Sequence, residues 1–469
     1  MIDGTHKELC YKPAYELRRM IDEKKISIEE LTRSFLERIE KVNPSVNAIV
    51  AFRPESAIQE AKALDAREGN RDLPLFGIPL TVKDLNETID MPTTLGSTIL
   101  KEFYPGYEAL IITWLKEAGA IVLGKTNTPE FGLLAVADNK LFGPTRNPWN
   151  LEHTSGGSSG GAGAAIAAGI SPLSQGNDGG GSLRIPAFCN GIYSIKPTRG
   201  RVPWAPGSYE FWAGIATNGP MARTVKDAAL MLDVIGKPVV GEPYGVPEPK
   251  EPFVSACDRK PPKLRLAYTT NPPHGHVDDE VKEKFMEGVK VFESLGHTVV
   301  EATPDLSGLR KIFMCIVSVN TANTFKTFQI PEDKYDELMS NSLQLGLQGL
   351  EVSGVDYNEA VISARLKSAQ IMSFWQDYDF LLTPTLTQLS PRIDTMSRIL
   401  NTEALDWLAF TYPFNITGQP AVSLPCGWSK DENLPVGLQI IGPTASEENL
   451  ISLSAQFEAT RPWHDLYPT

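Results

Sequence analysis

"SGGSSGGAGAAIAAGISPLSQGNDGGGSLRIPAFCNGIYSIKPT", Ser155 to Thr198, packs two turns, two helices and two strands into one short stretch. Ten glycines lie between Gly156 and Gly181, and two serines, Ser158 and Ser182, each follow a glycine run. The Ala/Gly tail after Ser159 predicts a helix that packs very closely on its neighbours, because residues this small let backbones approach. "GISPLSQGND" reads as a strand, a short helix is expected after Ser182, and "GIYSIKPT" reads as the next strand.

The same alternation extends in both directions. Short apolar runs rich in β-branched residues recur as "GIPLTVKD", "AIVLGKTN", "LRLAYTT", "HTVVEA", "DFLLTPT", "AVSLPCG" and "VGLQIIG". Helical stretches such as "EALIITWLKEAG" and "VKDAALMLDVIG" separate several of them. This pattern predicts one extended, mostly parallel or mixed sheet covered by helices. Upstream, residues 13–41 show helical spacing at Leu31, Phe35 and Ile39, and Ser27 followed by Glu30 forms a capping-box signal. A further helix is expected over Pro54 to Glu68. "KPVVGEPYGVPEPKEPF", Lys237 to Phe253, reads as an extended surface connection, and residues 307–376 read as helical.

The 469 residues carry a net charge of −13, with 42% hydrophobic and 22% charged residues. That balance suits a large apolar core and argues against nucleic acid, whose phosphates call for clustered Lys and Arg. No apolar run of membrane-spanning length is present, and the N-terminus lacks a signal-type apolar segment. The five cysteines are scattered and odd in number, so a reducing, cytoplasmic setting is expected, without disulfides or a zinc site.

The glycine-rich turns suggest acyl-transfer chemistry. Consecutive N–H groups in "DGGGS" can converge into an anion nest beside the Ser182 hydroxyl, which supplies a nucleophile and donors for its oxyanion. The plainer alternative is a glycine turn ending in an N-capping serine. Serine needs a base. None of the six histidines sits in a convincing setting, and "HGH" at 274–276 reads as a surface loop. Lys83, at the end of the apolar run "GIPLTVKD", is another choice, since burial can depress a lysine pKa until the amine is neutral. The alternative for Lys83 is a strand-end lysine paired with Asp84.

"GGSSGG", "DGGGSLRIPA" and "GIPLTVKD" together resemble the amidase signature family of serine hydrolases. "MPTTLGS", "GKTNTPEFG", "FGPTRNPWN", "IKPTRGRVP", "LLTPT" and "FNITGQPAVSLPCG" resemble its further landmarks, in order along most of the chain. The resemblance implies an α/β/α sandwich around a large twisted mixed sheet, and a single amidase domain over residues 1–469. Within it we expect an N-terminal helical segment (1–70), a catalytic core (71–236), a variable helical region shaping the substrate pocket (237–375) and C-terminal core elements (376–469).

The resemblance further implies a Ser-Ser-Lys triad: Ser182 as nucleophile, Ser158 as bridging serine and Lys83 as base. It implies a cis peptide bond at Gly157–Ser158. Oxyanion donors are expected at Gly179, Gly180, Gly181 and Ser182, and Asp178 and Arg184 are expected to brace the turn as a buried pair. Gly132 and Leu133 map to pocket-lining positions, with Gly132 suggesting open space for a bulky group. Gly179 replaces a larger residue common in the family, so a looser turn is expected there.

The implied activity is hydrolysis of a small-molecule amide, with aryl amides and carbamates among the candidates. No cofactor, metal, nucleic acid or membrane is called for, and a homodimer is the working expectation. Three alternatives stand beside this reading. One is a glutamine-hydrolysing amidotransferase of the A type that works with a tRNA-binding partner. Another is an α/β-hydrolase using Ser158 in G-x-S-x-G, although the polar "RNPWNLEHTS" before it is a poor buried strand. The third is a non-catalytic protein on the same fold.

Overall fold

The computed structural model describes residues 5–67, 72–204, 210–396 and 404–468. Its centre is one mixed sheet of 11 strands flanked by helices. The strands in chain order are β1 (Ile49–Phe52), β2 (Pro79–Lys83), β3 (Ile121–Thr126), the separate hairpin β4 (Arg146–Asn147) and β5 (Asn150–Thr154), then β6 (Leu173–Asp178), β7 (Tyr193–Lys196), β8 (Thr217–Ala222), β9 (Arg265–Tyr268), β10 (Thr298–Glu301), β11 (Phe380–Pro384), β12 (Ala421–Trp428) and β13 (Pro435–Ile441). Across the sheet they run β1-β3-β2-β6-β8-β7-β12-β13-β11-β9-β10.

Every apolar run quoted above forms a strand. β1, β8 and the β4–β5 hairpin lie outside those runs. β8 reads "TNGPMA", which offers no apolar run to recognise, yet all six residues are buried. Within the stretch 237–375, the runs "LRLAYTT" and "HTVVEA" supply β9 and β10 at one sheet edge.

The helices follow local chemistry. Ser27 and Glu30 close a reciprocal capping box on the helix Ile28–Val46, which runs past the predicted end despite Pro44. The helix Pro54–Asp65 stops short of Glu68, which lies outside the described residues. The helix Gly160–Ala167 is buried along its whole length, as its Ala/Gly composition predicts, and packs on β2, β3 and β6. A Cβ at Gly157 would stand 2.6 Å from the Val136 backbone, so the close approach there requires glycine. Among the described residues, no helix is long and apolar enough to cross a membrane.

The sheet topology positions the site. β2 and β6 are adjacent and parallel, with Thr81 opposite Ser174 and Val82 opposite Gln175. Their carboxyl ends therefore open at the same edge, where open α/β sheets bind ligands.

Candidate active site

Lys83 closes β2 and is fully buried. Its Nζ lies 2.6 Å from Ser158 Oγ and donates to Asn177 Oδ1 at 2.7 Å. The Asp84 alternative is corrected here. Asp84 accepts from the Thr94 backbone and hydroxyl and faces Lys125 Nζ at 3.5 Å, leaving Lys83 without a carboxylate hydrogen-bond partner among the described residues. Burial drives the Lys83 amine well below the ordinary lysine range, against an opposing pull from Asp178. A neutral amine has two N–H groups and one lone pair. With one N–H on Asn177, the lone pair is available to the Ser158 hydroxyl.

The peptide bond Gly157–Ser158 is cis, as the resemblance implied. Ser158 is 2% exposed and Ser182 is 9% exposed, so access to solvent rises from Lys83 outward to Ser182. The Ser159 N–H donates to the Ser182 carbonyl at 3.3 Å, which ties the two glycine turns together. Ser182 is not a helix cap: Leu183 occupies that position before the helix Arg184–Asn190. The N-capping alternative for Ser182 therefore fails.

The Asp178 carboxylate organises the turn from below. It accepts from the amides of Gly181 (2.7 Å) and Leu183 (3.1 Å), and Arg184 forks onto both of its oxygens at 2.9 Å. Arg184 reaches on to Gln439, Asn415 and the Thr411 carbonyl, and Asn415 returns a bond of 2.8 Å to Asp178. Burial alone would raise the Asp178 carboxyl, but the Arg184 charge and its hydrogen bonds outweigh it and hold the group at about 2. Arg184→Met is expected to destabilise the fold by about 3–5 kcal/mol, because it leaves Asp178 buried and unpaired. Denaturant unfolding measures this.

Three expectations about the glycines change. The Gly181 amide is committed to Asp178, so it is not a free oxyanion donor. The amides of Gly179, Gly180 and Ser182 have no partner among the described residues. Gly181 instead serves by its conformation, with φ at +134° and Thr411 Oγ1 standing where a Cβ would sit. Gly181→Ala is expected to cost about 1–3 kcal/mol through backbone strain and to lower kcat, as thermal melts and steady-state kinetics would record. Gly179 does not loosen the turn, since a Cβ there would stand 2.7 Å from the Trp212 ring, and the indole takes that space. Gly132 offers no open space either, because Leu85 Cδ1 lies 2.6 Å from its Cβ position. Leu133 beside it is partly buried against the core.

Several residues around the site escape sequence reasoning. Asn177 lies one residue before Asp178, and the strand register of "GND" is the available signal. Thr411, whose Oγ1 donates to the Gly180 carbonyl at 2.7 Å, and Asn415 sit in or beside "FNITGQP", a stretch that carries family likeness but no chemical signal of its own. The "HGH" loop also needs correction. His276 is exposed, but His274 is part-buried, with Nδ1 2.7 Å from Asp406 and Nε2 2.8 Å from the Tyr412 hydroxyl.

Comparison with known proteins agrees with this geometry. The family model for amidases matches residues 30–451. An acylamidase from Rhodococcus erythropolis is 35% identical, over 99% of this chain and 98% of its own. A 6-aminohexanoate cyclic dimer hydrolase, solved in complex with its substrate, superposes with a TM-score of 0.92 at 30% identity, covering 98% of this chain and 99% of that one. The A-type component of a glutamyl-tRNA(Gln) amidotransferase from Acidothermus cellulolyticus is 33% identical over 96% of this chain and 95% of its own. With its 11-stranded sheet and its lysine buried against a serine between glycine turns, this chain belongs to the amidase signature family and is an amide-hydrolysing enzyme.

Proposed function

We propose that the chain hydrolyses the C–N bond of a small-molecule amide through an acyl-enzyme on Ser182, with Ser158 as proton relay and Lys83 as base. The neutral Lys83 amine takes the Ser158 proton while Ser158 takes that of Ser182. Ser182 Oγ then bonds to the amide carbonyl carbon. The amides of Gly179, Gly180 and Ser182 receive the oxyanion, a contribution of about 3–4 kcal/mol for each donor removed. Return of the proton through Ser158 lets the amine leave. Water attacks the ester by the same relay, releasing the acid and restoring the Ser182 hydroxyl.

The observation that carries this reading is the buried, carboxylate-free Lys83 Nζ at 2.6 Å from Ser158 Oγ. Asp178 and Arg184 brace the donor turn. The substrate class is a carboxamide bearing an aryl or extended alkyl group. Trp212 against Gly179 and Phe313 against Gly180 make the surroundings of the turn aromatic, which supports that class. Phe313 comes from the region 237–375, whose role we take to be shaping the pocket. Gly132 and Leu133 flank the relay, with Ser158 Oγ 3.6 Å from the Cβ position of Gly132. The enzyme acts without a nucleic-acid or membrane partner, in a reducing cytoplasmic setting, as a homodimer.

An active-site fluorophosphonate followed by peptide mass spectrometry tests the site. The expected adduct is on Ser182, and an adduct on Ser158 alone would overturn the assignment. Turnover of aryl amides and carbamates, with glutamine left intact, is expected from the same preparation. Preferential release of ammonia from glutamine would favour the amidotransferase reading instead.

A further inference from the structure

A second line of titratable groups runs behind the nucleophile turn. Asp406 Oδ1, the His274 ring and the Tyr412 hydroxyl stand in sequence, with contacts of 2.7 Å at Nδ1 and 2.8 Å at Nε2. Tyr412 is fully buried, and the His274 side chain is 18% exposed. Arg310 Nη1 donates to the same Asp406 oxygen at 3.0 Å. The line joins the turn at two points. Thr411, next to Tyr412, donates to the Gly180 carbonyl and accepts from Arg184. The Tyr412 ring packs 5.0 Å from Phe313, whose Cζ stands 2.8 Å from the Cβ position of Gly180.

We infer that His274, clamped between Asp406 and Tyr412, is a positioning residue for the oxyanion donors of the Gly179–Ser182 turn. The inference rests on the reading of that turn as the donor set. The donor inventory assigns the tautomer. A carboxylate only accepts, so Nδ1 carries the hydrogen towards Asp406. Nε2 then accepts from the Tyr412 O–H, which has no other acceptor among the described residues. The neutral ring therefore anchors Tyr412, and Tyr412 holds Thr411 and Phe313 against Gly180. Protonation would put an N–H on Nε2, aimed at the phenol oxygen, and leave the buried hydroxyl hydrogen unpaired.

The groups facing His274 are Asp406 and Arg310, with opposite charges, and the Tyr412 phenol. His276 and Asp278 lie further along its own loop. Burial lowers the proton affinity of His274, and Asp406 opposes that. The clamp is thus complete at neutral pH and loosens as pH falls through the histidine pKa.

The test is kcat and KM against pH for wild type, His274→Ala, His274→Gln and Tyr412→Phe, using an aryl amide, with circular dichroism to confirm folding. His274→Ala and Tyr412→Phe are expected to lower kcat about ten- to a hundred-fold, the scale of a small misplacement of reacting groups, with KM within about two-fold. His274→Gln offers a neutral amide oxygen to the phenol and is expected to recover most of the loss. It should also remove one of two inflections on the acid limb, leaving that of Lys83. The inference is overturned if folded Ala or Phe variants keep kcat within about two-fold of wild type, or if the Gln variant keeps both inflections. If the Ala variant does not fold, the Gln and Phe variants decide by the same criteria. Failure of the underlying reading shows separately, as full activity in Ser182→Ala.

Discussion

Ser182→Ala is expected to lower kcat/KM for amides by on the order of 10^6-fold, the scale for removing the nucleophile of an acyl-transfer unit. The substitution leaves a methyl group where Oγ stood and no hydroxyl able to attack. Ser158 does not replace it, because it is only 2% exposed and its oxygen faces Lys83. The fold should survive, since no hydrogen bond among the described residues depends on Ser182 Oγ and the backbone bonds of the turn remain. Substrate binding should survive too, so KM is expected to move little. Single-turnover kinetics would show no acyl-enzyme burst. Activity within ten-fold of wild type in a preparation free of wild-type enzyme would end the assignment of Ser182.

Lys83→Met is expected to lower kcat on the order of 10^4-fold or more, as loss of the base does in a unit that acts together. Methionine fills similar volume but cannot take a proton. Combining it with Ser182→Ala should add little further loss. The pH dependence follows from the lowered lysine pKa. The proposed relay needs the neutral amine, so wild-type kcat is expected to fall as pH drops through the folded-state pKa of Lys83. Stability moves in the opposite sense for the variant. In the unfolded chain the lysine is protonated up to about pH 10.4, whereas in the folded protein it is already neutral above its lowered pKa. Between those values the unfolded state binds more protons, so wild-type stability rises with pH. Lys83→Met removes both that slope and the cost of burying an amine. The variant is therefore expected to melt above wild type at neutral pH, with the gap closing as pH approaches the unfolded lysine value. Undiminished turnover, or melting curves that stay parallel at every pH, would contradict a neutral base at this position.

Much of the core is legible because its signals are short-range. "GIPLTVKD" and "AIVLGKTN" are continuous apolar runs, and adjacent parallel strands buried on both faces need such runs. The capping box at Ser27 is a contact over three residues. β8 is hidden because "TNGPMA" has no apolar period, and only pairing with β6 and β7 makes it a strand. The chemistry divides in the same way. The glycine turns suggest a nucleophile and donors at Ser182, while the roles of Ser158, Asp178 and Arg184 are implied by the family resemblance those turns carry. Lys83 has two readings in the sequence, and its neighbour Asp84 does not decide between them.

What the sequence determined by itself was the set of local conformations: strands where β-branched runs lie, a small-residue helix, two glycine turns presenting hydroxyls, and a family resemblance carried by those turns. What only the tertiary structure decided was partnership. Lys125, on the neighbouring strand β3, takes Asp84 and leaves Lys83 to Ser158 and Asn177. Asp178 claims the Gly181 amide, Trp212 packs where a looser turn is expected at Gly179, Leu85 fills the space expected to be open at Gly132, and Asp406 and Tyr412 meet His274 from far along the chain. The physical reason is range. Backbone preference acts over a few residues, whereas desolvation and hydrogen-bond partners depend on what the whole fold brings within about 3 Å.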